Sequence, residues 1–128
     1  MLLRKKKIKI FGSGNYIRDF IHVEDVCSSI YKIIRKNNLK NEIFNIGSGK
    51  QHKLINIFNS IKNLINENYN LSIKIRKIKL DQININKSDL RNFQASIEKS
   101  KKKIEWEPKI SFENGIKNLI KYVNHKKN

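Results

Sequence analysis

Four short stretches of the chain cluster or alternate apolar residues in the manner typical of β-strands. They are residues 8–11, 20–23, 42–46 and 72–78. The first and the third are each followed by two closely spaced glycines, and this pattern predicts tight turns at Gly12/Gly14 and Gly47/Gly49. In the fourth stretch isoleucines alternate with lysine and arginine, so we expect one face of that strand to contact water.

Three longer stretches repeat apolar residues at the spacing of an amphipathic helix. They are residues 26–34, 54–65 and 113–123. Glu24 and Asp25 precede the first of them, where acids suit the helix dipole and can cap free N–H groups. Ser111 is the expected start of the last one.

A shorter and strongly basic helix is predicted before the sequence Trp106-Glu107-Pro108, which would end it. Ser96 is the expected N-cap of this helix and Ile104 its last residue. Together, the strands and helices predict a single α/β domain over residues 1–128.

The strong positive charge of the chain bears on its possible partners. It has 28 Lys and Arg residues against 11 Asp and Glu residues, which gives a net charge of +17. A charge of this size favours nucleic acid or another anionic surface as a partner. Lysine outnumbers arginine several-fold, however, and the basic residues are spread over most predicted elements, which favours a solvated surface. A small basic nucleic-acid-binding module stays open as an alternative interpretation.

Several features predict a cytoplasmic protein without a membrane-spanning segment. No apolar run approaches the ~20 residues of a membrane-spanning helix. Met1-Leu2-Leu3 is followed at once by Arg4 and three lysines, without the apolar core of a signal peptide. The single cysteine, Cys27, cannot form a disulfide within the chain, and we expect it to pack as a small residue on the first helix.

The two glycine turns do not match the known phosphate-binding loops. A P-loop needs G-x-x-x-x-G-K-[ST], but Phe44 stands at the first glycine when Gly49 is taken as the second, and Gln51 replaces the hydroxyl residue. A dinucleotide fingerprint, G-x-G-x-x-G, fails at Ile17 and at His52. The three histidines lie too far apart for a metal-ligand spacing. The sequence therefore predicts no catalytic, cofactor-binding or metal-binding residue.

Four motifs nevertheless occur in an order that is typical of one family. They are Phe11-Gly12-x-Gly14, RDFIHVEDV at residues 18–26, FNIGSG at 44–49 and EWEPKISFENGI at 105–116. Over nearly its whole length the chain thereby resembles the C-terminal part of extended short-chain dehydrogenase/reductases (SDRs). These are the NAD-dependent nucleotide-sugar epimerases and dehydratases, UDP-glucose 4-epimerase among them.

The resemblance implies a particular piece of that fold. It would be the C-terminal portion of a Rossmann-type extended SDR, with the last parallel strand and its helices plus the small mixed α/β substrate-binding lobe. The family's N-terminal Rossmann half, with its Gly-rich NAD loop and Tyr-x-x-x-Lys pair, has no counterpart in this sequence. Tyr122 and Lys126 have the spacing of that pair but lie on the final helix, in the wrong context.

The resemblance also implies what the chain does alone and with a partner. It would be a fragment, or one half of a split isomerase-type enzyme, that binds a nucleotide sugar, most simply a UDP-sugar. It would bind no NAD and be inactive by itself, so that a separate N-terminal Rossmann half would be its partner. An inert remnant without a ligand is the other alternative.

Five residues match substrate-binding positions of the family. The resemblance puts Arg18 against the diphosphate, Lys9 and Phe11 beside the nucleobase, Asp89 against the ribose hydroxyls, and Phe93 near the hexose. The chemistry agrees best for Arg18, because a guanidinium is a planar, permanently charged fork that matches phosphate oxygens.

Other positions of these motifs depart from the family or serve their neighbours. Asn86 replaces the arginine of the family's R-x-G-D stretch, and Lys87 or Arg91 could substitute for it. Asp19 and His22 are expected to orient neighbouring groups and to take no direct part in chemistry.

Overall fold

The computed structural model describes residues 7–69, 73–80 and 90–125. Within these ranges strands and helices mix as the sequence predicts. In chain order they are β1 (Lys7–Phe11), β2 (Ile17–Arg18), α1 (Val23–Ile34), β3 (His52–Lys53), α2 (Leu54–Tyr69), β4 (Lys74–Ile78), α3 (Glu98–Ile104) and α4 (Phe112–His125). None of the helices described in these ranges is long and apolar enough to cross a membrane.

The described strands form two small sheets. β1 pairs with β4 in parallel, with Lys7 opposite Lys74 and Phe11 opposite Ile78. β2 pairs with β3 in the antiparallel direction, with Arg18 opposite His52. The N–H groups of Leu54 and Ile55 donate to the carbonyls of Tyr16 and Gly14, at 3.1 and 2.8 Å. Backbone carbonyls of the turn after β1 therefore satisfy the first amides of α2, which explains why that helix needs no Ser or Thr cap.

Trp106 lies at the centre of the buried core. It is 2% exposed and packs in one cluster with Ile97 and Ile104. Partly buried apolar residues pack against the same cluster. They are Ile21 before α1, Ile33 near its end, Leu39 in the loop after it, Phe44 and Ile46 of the 42–46 segment, and Ala95. The indole Nε1–H donates to Ser28 Oγ at 2.8 Å, so the one polar atom of this ring is satisfied.

Two predicted strands are wrong in detail. Residues 42–46 form no strand, although Phe44 and Ile46 point to the core while Ile43 is 82% exposed. The alternation of a strand is present, but no described segment supplies the backbone partners that a ladder requires. The predicted extended piece 20–23 lies beyond the actual strand, Ile17–Arg18, and α1 begins at Val23.

The helix caps and Cys27 also differ from expectation. α1 is capped by His22, whose Nδ1 accepts from the Glu24 amide at 3.3 Å, and neither predicted acid caps it. At α3 the N-cap is Ile97, which makes no side-chain capping bond; Ser96 lies one residue too early, and Ile97 belongs to the core. Cys27 is exposed, so the packing role predicted for it is wrong.

The remaining helix predictions are confirmed. α2 covers the predicted 54–65 stretch and extends it to Tyr69, and α3 ends at Ile104 as expected. α4 begins directly after Ser111, whose Oγ accepts from the Asn114 amide at 3.2 Å. The periodicity of the sequence therefore located the helices within a few residues.

Candidate functional site

β2 is a short strand held between two neighbours. On one side it pairs with β3. On the other side the Ile17 N–H donates to Asn92 Oδ1 at 2.9 Å, and the Phe93 N–H donates to the Ile17 carbonyl at 3.0 Å. Because both sides of the strand are bonded, the backbone of Arg18 has a fixed position although β2 has only two residues.

The Arg18 side chain is oriented by backbone carbonyls. Its Nη1 donates to the Ile17 carbonyl at 2.8 Å and to the carbonyl of Arg91. The side chain is half-buried. The structure thus brings Arg18 next to the segment that carries Phe93, whose ring is 59% exposed. Two of the five predicted site residues lie in hydrogen-bonded neighbouring segments.

Lys9 and Phe11 lie together on β1. They are two residues apart on one strand and therefore point to the same face, and both are exposed, Phe11 by 48%. The turn of residues 12–16 joins this strand to β2. Gly12 is required there, because its φ is +73° and a Cβ would lie 3.0 Å from the Tyr16 hydroxyl.

The fifth predicted residue, Asp89, lies outside the described residues, as do Asn86 and Lys87. A cleft of about 350 Å³ opens beside Gly49 and residues 94–98, with Lys101 at its wall. None of the four described candidates lines this cleft. Among the described residues, no group of three or more His, Cys, Asp or Glu side chains could hold a metal ion.

Asp19 connects three segments next to Arg18. Its Oδ1 accepts from the Ser48 amide at 2.7 Å and from the Ser48 hydroxyl, and its Oδ2 accepts from the amides of Gly49 and Ala95 at 3.0 and 3.1 Å. Burial by itself raises the pKa of this carboxyl, but the Ser48, Ala95 and Gly49 hydrogen bonds outweigh it and hold the pKa below its ordinary value. The expected orienting role of Asp19 is confirmed.

The second glycine turn is shaped around this carboxylate. A Cβ on Gly47 would lie 2.6 Å from Ala95 Cβ and 3.0 Å from Asp19 Oδ2, so only glycine fits without a shift. The amides of Ser48 and Gly49 resemble the donors of an anion-binding nest. The anion that accepts from these amides is the carboxylate of Asp19 in the same chain.

Asp25 is a buried acid whose hydrogen-bond partners the sequence did not reveal. It is 4% exposed and accepts from the amides of Lys109 and Ile110 at 2.9 and 3.0 Å. It thereby fixes the segment that leads into α4. Its place at the start of α1 already had an explanation in the helix dipole, so no local signal pointed to a partner 84 residues away.

The sequence of the chain matches one family over most of its length. The family model described as GDP-mannose 4,6 dehydratase matches residues 1–119. UDP-glucuronate 4-epimerase of Thermodesulfobacterium geofontis is 34% identical over 122 residues, which cover 94% of this chain and 34% of that protein.

Solved structures show the same similarity. UDP-glucose 4-epimerase of Thermotoga maritima, solved with UDP-glucose, has 30% identity and a TM-score of 0.79, over 98% of this chain and 37% of the other. dTDP-glucose 4,6-dehydratase of Bacillus anthracis, solved in complex with NAD, has 26% identity and a TM-score of 0.76, over 97% of this chain and 36% of the other. The chain spans about a third of the length of the relatives it matches.

Proposed function

This chain belongs to the family of NAD-dependent nucleotide-sugar epimerases and dehydratases, and from that premise we propose that it is the nucleotide-sugar-binding portion of such an enzyme. The expected fold class, the C-terminal portion of an extended SDR, is confirmed by the superpositions. The observation that carries the proposal is Arg18, a half-buried arginine oriented by two carbonyls on a strand that is bonded on both sides. A guanidinium fixed in this way is prepared for a diphosphate.

The other candidates receive roles that fit their chemistry and exposure. Lys9 and the exposed Phe11 ring would contact the nucleobase, and the exposed Phe93 would lie near the hexose. Asp89 would accept from the ribose hydroxyls, because an ionised carboxylate is an acceptor only. The hydrogen bonds between β2 and residues 91–93 support a shared site for Arg18 and Phe93.

The described residues do not fit NAD. The Gly12 turn is followed by a strand of two residues. The first amides of α2 do face this turn, but they already donate to the carbonyls of Tyr16 and Gly14 and are not available to a phosphate. At the Gly47 turn the Asp19 carboxylate already takes the amides of Ser48 and Gly49, and a second anion there would meet like charge. We therefore assign the binding of NAD, and the oxidation and reduction that it supplies in the family, to another portion of the enzyme.

α1 offers a surface on which such a portion could pack. Val23, Ile30, Tyr31 and Ile34 recur at helical spacing and are 68%, 51%, 59% and 75% exposed; we name them the α1 stripe. An exposed apolar face of this kind marks an interaction surface. We assign it to the apolar face of an N-terminal Rossmann half. In α2, by contrast, Ile57 and Ile65 are buried within this chain.

The experiment that tests the function is a calorimetric titration of the full chain with UDP-glucose. Wild type should show saturable binding, and Arg18→Ala should weaken it about 10- to 100-fold, because a charge-assisted bond contributes roughly 1.5–3 kcal/mol. Arg35→Ala is the matched control; it removes the same charge from the end of α1, where Arg35 contacts Tyr31. Equal loss in both variants, or no saturable binding by wild type, would contradict the proposal.

A further inference from the structure

The parallel pairing of β1 and β4 places four cations on one face. Lys7 stands opposite Lys74, and Lys9 stands opposite Arg76. Residues directly opposite in a sheet point to the same side, and so do residues two apart along a strand. Neighbouring strands lie about 4.8 Å apart and alternate residues about 6.6 Å apart, so the four Cα positions outline a small rectangle. We name these four residues the cationic face.

The other side of this sheet is the covered side. Ile8 and Ile75 are a cross-strand pair of partly buried residues, and Ile10 is 3% exposed. α2 packs against β4, and Ile73, directly before the strand, is 7% exposed. All four members of the cationic face are exposed, so this face is positive toward water. The other side is apolar except for the exposed Lys77, which lies opposite Ile10.

In the described part of the chain no acidic side chain forms an ion pair with these four residues. The ion pairs there join Lys36, Lys99, Lys101 and Lys103 to glutamates, and none includes a member of the cationic face. Like charges directly opposite each other in a sheet are destabilising. The arrangement therefore costs folding stability unless an anion binds to it.

The strand also connects this face to an aromatic ring. Phe11 points to the same side as Lys7 and Lys9 and is 48% exposed at the end of β1. A row of cations next to an exposed ring matches a ligand that carries phosphates next to a base.

We propose that the cationic face binds phosphate groups of nucleotide-type ligands, with Lys7, Lys74 and Arg76 extending the site beyond Lys9 and Phe11. The inference rests on the proposed function in that it shares Lys9 and Phe11 with it. The phosphates can belong to a nucleoside diphosphate or to the backbone of single-stranded nucleic acid, and the two sources are separable by experiment.

The test compares Lys74→Gln/Arg76→Gln with Lys102→Gln/Lys117→Gln in the full chain. The control removes the same two charges from exposed positions on α3 and α4. UDP and octauridylate are titrated at several salt concentrations. We expect the first variant to weaken UDP binding at least about fivefold at low salt and the control less than twofold. If octauridylate binds to the same face, the decrease of log K with log salt should become less steep by about 1.4 in the first variant. Two phosphate contacts are then lost, and each single-strand contact contributes about 0.7 to that slope.

Folding provides a second measurement. Since the substitutions remove like-charge repulsion, Lys74→Gln/Arg76→Gln should melt at the same or a higher temperature than wild type. Equal weakening in both variants, no binding of either ligand, or a lower melting temperature would overturn the proposal. If Arg18→Ala binds UDP-glucose normally while Lys74→Gln/Arg76→Gln loses UDP binding, the cationic face is supported and the proposed function fails. If Arg18→Ala loses UDP-glucose binding while Lys74→Gln/Arg76→Gln binds UDP normally, the proposed function is supported and the cationic face fails.

Discussion

Asp19 holds residues 48, 49 and 95 through one ionised carboxylate. Asp19→Asn keeps the shape of the side chain but turns a hydrogen-bond donor toward backbone amides. We expect it to lower the free energy of unfolding by about 2 kcal/mol at pH 7, since a hydrogen bond to a charged group contributes roughly 1.5–3 kcal/mol. Urea denaturation followed by circular dichroism would measure this, with Glu24→Gln as an exposed control.

The stability difference between wild type and Asp19→Asn should also depend on pH. Because its pKa is lowered from 3.8 in the folded protein, its contribution is complete above about pH 4 and is lost as the pH falls through the folded pKa. The difference between wild type and Asp19→Asn should therefore shrink below pH 4. A difference that stays constant down to pH 2 would show that shape rather than charge is responsible.

Among the five glycines, Gly47 leaves the least room for a Cβ atom. Gly47→Ala would place a Cβ 2.6 Å from that of Ala95, and such overpacking typically costs about 1–3 kcal/mol. Thermal melts should show the loss, and the double variant Gly47→Ala/Ala95→Gly should recover part of it by removing the facing methyl group. No recovery would place the strain at Asp19 Oδ2 instead, 3.0 Å from the added atom.

At the residue scale, sequence reasoning selected Arg18 by its chemistry, and the ligand-binding role of this residue stays a prediction. Arg18 lies on a fixed strand next to the segment of Phe93, as a shared site requires. It missed the partners of Asp19 and Asp25, because hydrogen bonds to backbone amides 29 to 85 residues away depend on the fold and leave no local pattern. It misassigned Cys27 because burial depends on which face of α1 is covered.

At the scale of elements, ion pairs attach α3 to Glu42, which lies in the segment between α1 and β3. Glu42 accepts from Lys103 and pairs with Lys99 at 2.7 Å. The hydrogen bonds from Lys103 and Lys99 lower the pKa of Glu42 from 4.5 to about 2. Glu42→Gln should therefore lower the melting temperature slightly at pH 7, and the difference should narrow as the pH falls from 4.5 toward 2. It should also narrow in 1 M salt, since these side chains are partly exposed; a difference insensitive to both would contradict an ion-pair origin.

The elements themselves were predictable to different degrees. Helices depend on contacts close in sequence, so the periodicity of residues 26–34 and 54–65 located α1 and α2. A strand depends on a partner, and the 42–46 segment has the alternation without the ladder. The small parallel sheet was visible only as two separate strands, because its register joins residues far apart in the chain.

For the whole molecule, the exposed α1 stripe predicts weak cooperativity of the chain by itself. It should melt over a broad range and bind a hydrophobic dye, because apolar surface that a partner would cover faces water. Ile30→Gln/Ile34→Lys should reduce the dye signal while the helix content stays near that of wild type, and it should weaken binding to an added N-terminal Rossmann half from a relative. Leu119→Gln, on the exposed side of α4, is the control. A sharp cooperative melt without dye binding would count against the proposed partner.

The register of β1 and β4 also affects the folding rate. Lys7 and Lys74 are 67 residues apart, so the chain must close a long loop before the sheet can form, and such distant pairings are the slow ones in folding. The two strands then approach each other with like charges face to face. Dissolved anions would screen that repulsion as the strands meet. Phosphate in solution should therefore raise the refolding rate as well as the stability of the folded sheet.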